Sequence, residues 1–312
     1  MDAIKAHGTG NDFVVLPDVD DRLEVPVALV RALTDRRRGI GGDGVIRLGA
    51  PPADQPDADV FMDYRNADGG AVEMCGNGVR VTAKLAVDHG LVQPVDGDVA
   101  GTHGEVVRVA TRGGTKPVVV HRGEDGTVAE VTVDMGPPIV VPAEVPFETD
   151  DQDALQHDLQ VGGQVLSVSV VSMGNPHAVT VVDDVTTAPV TTLGPLVEVH
   201  PRFPAKVNAG FVEVVDRGSV RLRVWERGVG ETAACGTGAC AAVVALQRLD
   251  LVDPVVAVSL PGGVLQVTHL PGGTVTMRGP ATEVASCHLT DDWLRDAADD
   301  APHRELVRGT FP

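Results

Sequence analysis

Aromatic side chains are scarce in this 312-residue chain: six Phe, two Trp and one Tyr, 3% in all. A core must therefore be built from aliphatic residues. At 43% hydrophobic content there is enough Val, Leu and Ala for one large core or two of medium size. The same scarcity speaks against a base-stacking platform for single-stranded nucleic acid. Positive charge is also short, 25 Lys and Arg against 44 Asp and Glu, a formal net charge of −19. No nucleic-acid or anionic-membrane partner is expected at that sign. An anionic small molecule stays open, because local donors can outweigh a global field. No apolar run is long enough for a transmembrane helix, and Met1-Asp2-Ala3-Ile4-Lys5 leads into a polar, Gly-rich stretch rather than a secretory leader. Cysteine is limited to Cys75, Cys235, Cys240 and Cys287, with no CxxC pair and no histidine at ligand spacing, so no metal site is expected. Free thiols without a leader point to the reducing cytoplasm.

What the chain does contain is a duplicated cysteine setting. Met74-Cys75-Gly76-Asn77-Gly78 and Ala234-Cys235-Gly236-Thr237-Gly238 are near copies, 160 residues apart (235 − 75), about half the chain. Each precedes a run of helical character. A second pair of segments, His7-Gly8-Thr9-Gly10-Asn11 and Ser172-Met173-Gly174-Asn175, repeats at 164 residues (175 − 11). Two landmarks at nearly one offset indicate an internal duplication. The halves are expected to meet near Gly136-Pro137-Pro138, giving residues 1–135 and 136–279 as two units. Residues 280–312 would add a strand returning to the first half and then, from Asp296, a loosely held polar tail.

Short β-type runs dominate, at residues 3–7, 44–48, 60–64, 106–111, 118–121, 128–134, 165–171, 178–182, 211–215, 220–225, 255–260, 264–268 and 275–278, punctuated by Gly, Pro and Asp. Three helices are expected, over 27–34 behind Pro26, over 78–89 stopping at Gly90, and after Cys235 through 239–246. In the second, Arg80, Lys84 and Asp88 form a polar stripe at spacing four; the third is apolar all round and must be surrounded. Acidic or Gly/Pro-rich stretches 50–58, 93–104 and 148–158 read as exposed loops. The fold class is then α+β: two pseudo-symmetric domains, each a curved, mostly antiparallel, barrel-like sheet around a central helix, with the active site in the cleft between them.

A thiol at the first turn of a helix meets free N–H groups and the positive end of the helix dipole, which favour the thiolate. Two such thiols on related halves suit proton exchange at a carbon centre, one acting as base and the other as acid from the opposite face. The exposed N–H groups of Gly76, Asn77 and Gly78, and of Gly236, Thr237 and Gly238, would bind the carboxylate beside that carbon. This chemistry needs no cofactor. Cys240, inside an apolar helix, and Cys287, in a late β-run, read as packing residues.

The blocks HGTGND (7–12), RNADGGAVEMCGNGVR (65–80), MGNPHAV (173–179), FPAKVNAGFVEV (203–214) and WERGVGETAACGTGACA (225–241) resemble the signature blocks of diaminopimelate epimerase, in order and over almost the whole chain. The resemblance implies a cofactor-independent isomerase that interconverts LL- and meso-2,6-diaminopimelate, in lysine and peptidoglycan precursor synthesis, and suggests a homodimer. It makes Cys75 and Cys235 the acid/base pair and gives His177 and Glu226 the task of setting thiol protonation. Asn11, Asn66, Asn175, Asn208, Glu226 and Arg227 would read the substrate's polar groups, with Gly76, Asn77, Gly236 and Thr237 at the carboxylate. Two departures stand out. Gly41-Gly42-Asp43-Gly44 carries Gly44 where the family often has Gln, and Arg80-Val81-Thr82 replaces a further cysteine. A proline or hydroxyproline racemase with two cysteines, and a non-catalytic amino-acid-binding protein on the same scaffold, are the alternatives.

Overall fold

The structure, a computed structural model, describes residues 1–299; residues 300–312, the rest of the expected polar tail, lie outside the described residues. Its first half holds β1 (Asp2–Gly8), β2 (Asn11–Asp18), α1 (Val27–Thr34), β3 (Gly44–Gly49), β4 (Val60–Asn66), α2 (Gly76–Asp88), β5 (Val95–Val99), β6 (Thr102–Ala110), β7 (Lys116–Arg122) and β8 (Val128–Asp134). The second half holds β9 (His157–Val161), β10 (Gln164–Ser172), β11 (Pro176–Val181), α3 (Val190–Glu198), β12 (Asn208–Asp216), β13 (Ser219–Glu226), β14 (Gly230–Thr232), α4 (Gly236–Arg248), β15 (Val255–Leu260), β16 (Gly263–His269) and β17 (Val275–Pro280). Then come β18 (Thr282–His288) and α5 (Asp291–Asp299).

The duplication is written in the strand pairings. From β1 to β8 they run antiparallel (β1–β2), parallel (β2–β3), antiparallel (β3–β4), parallel (β4–β6), then antiparallel twice (β6–β7, β7–β8). The same order of senses recurs through β10–β11, β11–β12, β12–β13, β13–β15, β15–β16 and β16–β17. Each half is completed by the strand that follows the other sense series: β9, after β8, pairs with β10, and β18, after β17, pairs with β1. β8 and β17 pair antiparallel, Asp134 opposite Thr276, and join the halves into one sheet.

Inside this sheet lie α2 and α4, in one core that draws Val, Leu, Ile and Ala from both halves. Residues 239–246 of α4 are all buried, as an all-apolar helix requires. Its Ala and Val side chains are small enough for strands to close around it, so a core with few aromatic residues still fills. The polar stripe on α2 is not a solvent face. Arg80 is fully buried, and Lys84, nearly so, donates to Asp88 (2.7 Å) and to the Val128 carbonyl (2.6 Å) on β8.

Several loops and boundaries differ from expectation. Residues 93–104 are no loop but mostly the β5–β6 hairpin, turning at Ala100 and Gly101, both at positive φ (49° and 82°). Its acidic, exposed face hides the strand period. α2 and α4 each begin at the glycine after the cysteine, two or three residues earlier than their apolar runs indicate. Residues 296–299 belong to helix α5 rather than to a loose tail. In α3, Pro195 and Gly194 disguise an amphipathic helix whose Val190, Leu193 and Val197 are buried; a Cβ on Gly194 would meet Trp225 Cβ at 2.6 Å and the indole ring at 2.7 Å.

Leu246→Ala on α4, a fully buried position, should lower the free energy of unfolding by about 2–5 kcal/mol. Leu251→Ala, 38% exposed just beyond that helix, should change it by less than about 1 kcal/mol. Urea unfolding curves of both variants would show a reversed ranking if α4 were not central.

Candidate active site

Cys75 and Cys235 occupy the same place in the two halves. Each is the N-cap of its helix with extended backbone (φ −141°, ψ 114° and φ −122°, ψ 106°), and its carbonyl accepts the first helical bond, from Val79 and Ala239 respectively. The N–H groups of the following three residues are thus left without intrahelical partners. Both helix ends converge on the same side chain: a Cβ on Gly76 would sit 3.1 Å from Met277 Cε, and one on Gly236 would sit 3.0 Å from Met277 Sδ. Asn77 of α2 reaches across to the Ala234 carbonyl beside Cys235 (3.4 Å). The second glycine of each Cys-Gly-x-Gly turn has its own cause. A Cβ on Gly238 would lie 3.2 Å from Cys235 Sγ, and one on Gly78 would lie 3.1 Å from Met62 Sδ and 3.6 Å from Cys75 Cβ.

The thiols differ in their partners. Cys235 Sγ donates to Glu226 Oε2 (3.1 Å), while Glu226 Oε1 accepts from Thr232 Oγ1 (2.5 Å). Burial pushes the Glu226 carboxyl up. Burial also pushes Cys235 well above the usual thiol range, and the Glu226 charge adds to this. Cys75 Sγ faces a neutral group, Asn11 Oδ1 (3.9 Å), which also accepts from Asn77 Nδ2 (3.2 Å). Burial raises Cys75 too, opposed by the N–H groups of Gly78 and Asn77.

The remaining expected residues form two groups. Asn11 Nδ2 donates to Asp43 Oδ2 (2.8 Å), whose other oxygen takes Arg36 (2.7 Å); because a carboxylate only accepts, Asn11 Oδ1 is turned to the thiol. Asn66 is exposed and accepts from the Tyr64 hydroxyl (2.9 Å). In the other half, His177 and Asn208 are register partners on β11 and β12. His177 Nε2 meets Asn175 Oδ1 (3.1 Å) and bonds neither thiol. Asn208 Nδ2 donates to the Pro176 carbonyl (3.0 Å), and its Oδ1 accepts from the Arg227 N–H (2.8 Å). The exposed Arg227 guanidinium donates to the Ala205 carbonyl (2.8 Å) and has no carboxylate partner among the described residues.

Four residues that bear on the site were missed in the sequence: Asp43, Thr232, Tyr64 and Arg80. Of Asp43 and Thr232, only Thr232 carried a faint signal, since it lies inside the last of the blocks. Tyr64 stands where its ring takes the space over Gly44, whose Cβ would lie 2.5 Å from Cε2. Among the described residues no group of His, Cys, Asp and Glu is placed to hold a metal ion, and no helix is long and apolar enough to cross a membrane.

The sequence profile of the diaminopimelate epimerase family matches residues 3–141 and 169–284. The chain is 48% identical over 281 residues to the diaminopimelate epimerase of Pseudomonas entomophila, covering 90% of this chain and 95% of that one. It is 49% identical over 291 residues to that of Laribacter hongkongensis, covering 92% and 98%. The chain belongs to the diaminopimelate epimerase family. A hydroxyproline epimerase from Agrobacterium vitis has the same fold (TM-score 0.61, 92% of this chain and 90% of that one) at 19% identity, a likeness of architecture only. The racemase alternative therefore keeps the scaffold and loses the sequence blocks, which belong to the diaminopimelate epimerase family.

Within this family member, His177 gives a pH signature. Burial, with the Arg227 charge, pushes its imidazole down to about 3, against 6.5 ordinarily. Between those values the unfolded chain holds the extra proton, so stability is full above 6.5 and falls as pH drops, by up to about 1.4 kcal/mol per pH unit for this group. His177→Gln should therefore lose less stability than the parent between pH 6.5 and 4.5, by about 2 kcal/mol. Parallel stability–pH curves for the two proteins would show that the imidazole is not held neutral.

Proposed function

We propose that this protein interconverts LL- and meso-2,6-diaminopimelate by moving an α-proton between two cysteine thiols, without a cofactor. The observation that carries the reading is the meeting of two helix N-termini, each capped by a cysteine. The substrate's reacting carboxylate would lie on the N–H groups of Gly76, Asn77, Gly236 and Thr237, where the dipoles and free donors absorb the charge that builds as the Cα–H bond breaks. One sulfur, as thiolate, takes that proton; the other, as thiol, delivers its own to the opposite face. The carbon is inverted and the two sulfurs exchange protonation states, so the reverse reaction starts from the product form.

Glu226 would receive and return the Cys235 proton along their existing hydrogen bond. Asn11, Asn66, Asn175, Asn208 and Arg227 would hold the distal, non-reacting amino-acid end, with the Arg227 fork suited to its carboxylate. His177 fits as the support of Asn175. The lobes, residues 1–135 with the returning β18 and residues 136–279, would close over substrate and exclude water. A homodimer and a cytoplasmic location belong to the same reading.

Reduced protein incubated with LL-diaminopimelate in deuterated water should yield the meso isomer carrying deuterium at one α-carbon. Absence of both exchange and inversion would sink the proposal. Cys75→Ala and Cys235→Ala should each lower kcat/KM by roughly 10²- to 10⁴-fold, and Cys287→Ala should not. Gly238→Ala, which crowds the Cys235 sulfur, should cut kcat by about tenfold or more with little change in KM. An unchanged kcat would mean that the sulfur position is not critical.

A further inference from the structure

Arg80, one turn into α2, is the bulkiest fully buried side chain among the described residues. Its Nη1 donates to the Pro280 carbonyl (2.8 Å), and its Nη2 to Thr9 Oγ1 (2.7 Å) and Asn77 Oδ1 (2.5 Å), while Nε has no partner. All three acceptors are neutral, and no carboxylate of the described residues lies within ion-pair distance. Its space is cleared by glycines. A Cβ on Gly279 would collide with Nη1, and one on Gly8 would approach Nη2 to 3.2 Å. A buried cation without a counter-ion is costly and adds nothing a packed aliphatic chain could not supply. A charge kept under those terms has an anion to meet.

Arg80 is tied to the Cys75 thiol through two amides: Asn77, which it holds, donates to the same Asn11 Oδ1 (3.2 Å) that Cys75 Sγ faces (3.9 Å), and Cys75, Cys240 and Glu130 are the titratable groups whose charge bears on it. Glu130 is already taken by Arg278 (2.8 Å). Cys240 lies fully buried in α4, where burial pushes its thiol up to about 12, so it keeps its proton. Cys75 remains. Facing Cys75 in turn are Glu226, whose charge disfavours a thiolate there; Arg80, whose charge favours it; and Tyr64, which burial keeps neutral. Asn11 adds only a neutral amide.

We propose that Arg80 is the resident counter-charge of the Cys75 thiolate, a positioning residue that lets this half-buried sulfur ionise and anchors the Asn77 side chain on the same helix end. The inference rests on the two-thiol reading above but is tested without substrate. The alkylation rate of Cys75 in full-length reduced protein, followed against pH with iodoacetamide and read on the Cys75 peptide by mass spectrometry, reports its thiolate fraction. Arg80→Met should move the midpoint up by about one pH unit or more. Arg80→Lys, which keeps the charge but not the fork, should stay within about half a unit. Equal midpoints for the parent and a folded Arg80→Met would overturn the proposal. So would an Arg80→Lys shifted as far as Met, since hydrogen bonding rather than charge would then be the cause. Arg80→Gln is the second neutral variant. Failure of both neutral variants to fold would also overturn it, because a charge held for a thiolate is not one the fold needs. Normal alkylation shifts in a protein that exchanges no deuterium would sink the epimerase reading alone.

Discussion

Two helices point their N-termini at one another in this molecule. Each end carries roughly half a positive charge and a set of N–H groups with no partner, so bringing them together is unfavourable until an anion lies between them. The rest of the architecture serves to hold this arrangement. One sheet runs through both halves and encloses both helices, the β8–β17 pair fixes one half against the other, and Met277, on β17, wedges against both first-turn glycines. In the proposed reading, a bound carboxylate would relieve the repulsion and put the adjoining carbon between the two sulfurs. Structure and chemistry thus share a single electrostatic cause.

On a frame that repeats so closely, the two thiols are nonetheless differently supported. Cys235 has a carboxylate at hydrogen-bond distance, and Cys75 has an amide oxygen and, behind it, a buried guanidinium. In the proposed reaction, a proton moved toward Cys235 would have Glu226 to share it, whereas a charge left on Cys75 would have Arg80 to face it. This division suits a reaction in which the two sulfurs must differ in protonation at every stage. Two identical environments would favour both thiols or both thiolates.

The duplication, the two capping cysteines and the sheet-around-helix plan were legible because each leaves a local trace: a repeated motif, an all-apolar helix, strands with β-branched residues. What escaped had its cause elsewhere in the chain. Arg80 reads as part of a polar stripe, since spacing four on a helix looks the same whether that face meets water or the Pro280 carbonyl 200 residues away. Asp43 orients Asn11 across 32 residues, and nothing local marks it as different from any other acidic turn residue. α3 was hidden by Gly194, whose missing Cβ is required by Trp225, a partner known only from the fold. Local propensity could not supply these contacts because they are tertiary.

The scarcity of aromatics makes the single tyrosine informative. Tyr64 stacks edge-on against Phe13 (5.4 Å between ring centres, 88° between planes), and its ring leans over Gly44 on the neighbouring strand. Any Cβ at position 44 would meet both the Arg65 carbonyl oxygen and the edge of the Tyr64 ring, so glycine is what this approach of β3 to β4 admits. Gly44 therefore goes with the close approach of the β4 backbone as well as with the Tyr64 ring. The Tyr64 hydroxyl ends on Asn66 Oδ1, so that the amide's donor side is the one left for a ligand. In the proposed reading, Asn66 on β4 would thus offer a donor to the substrate at this end of the site.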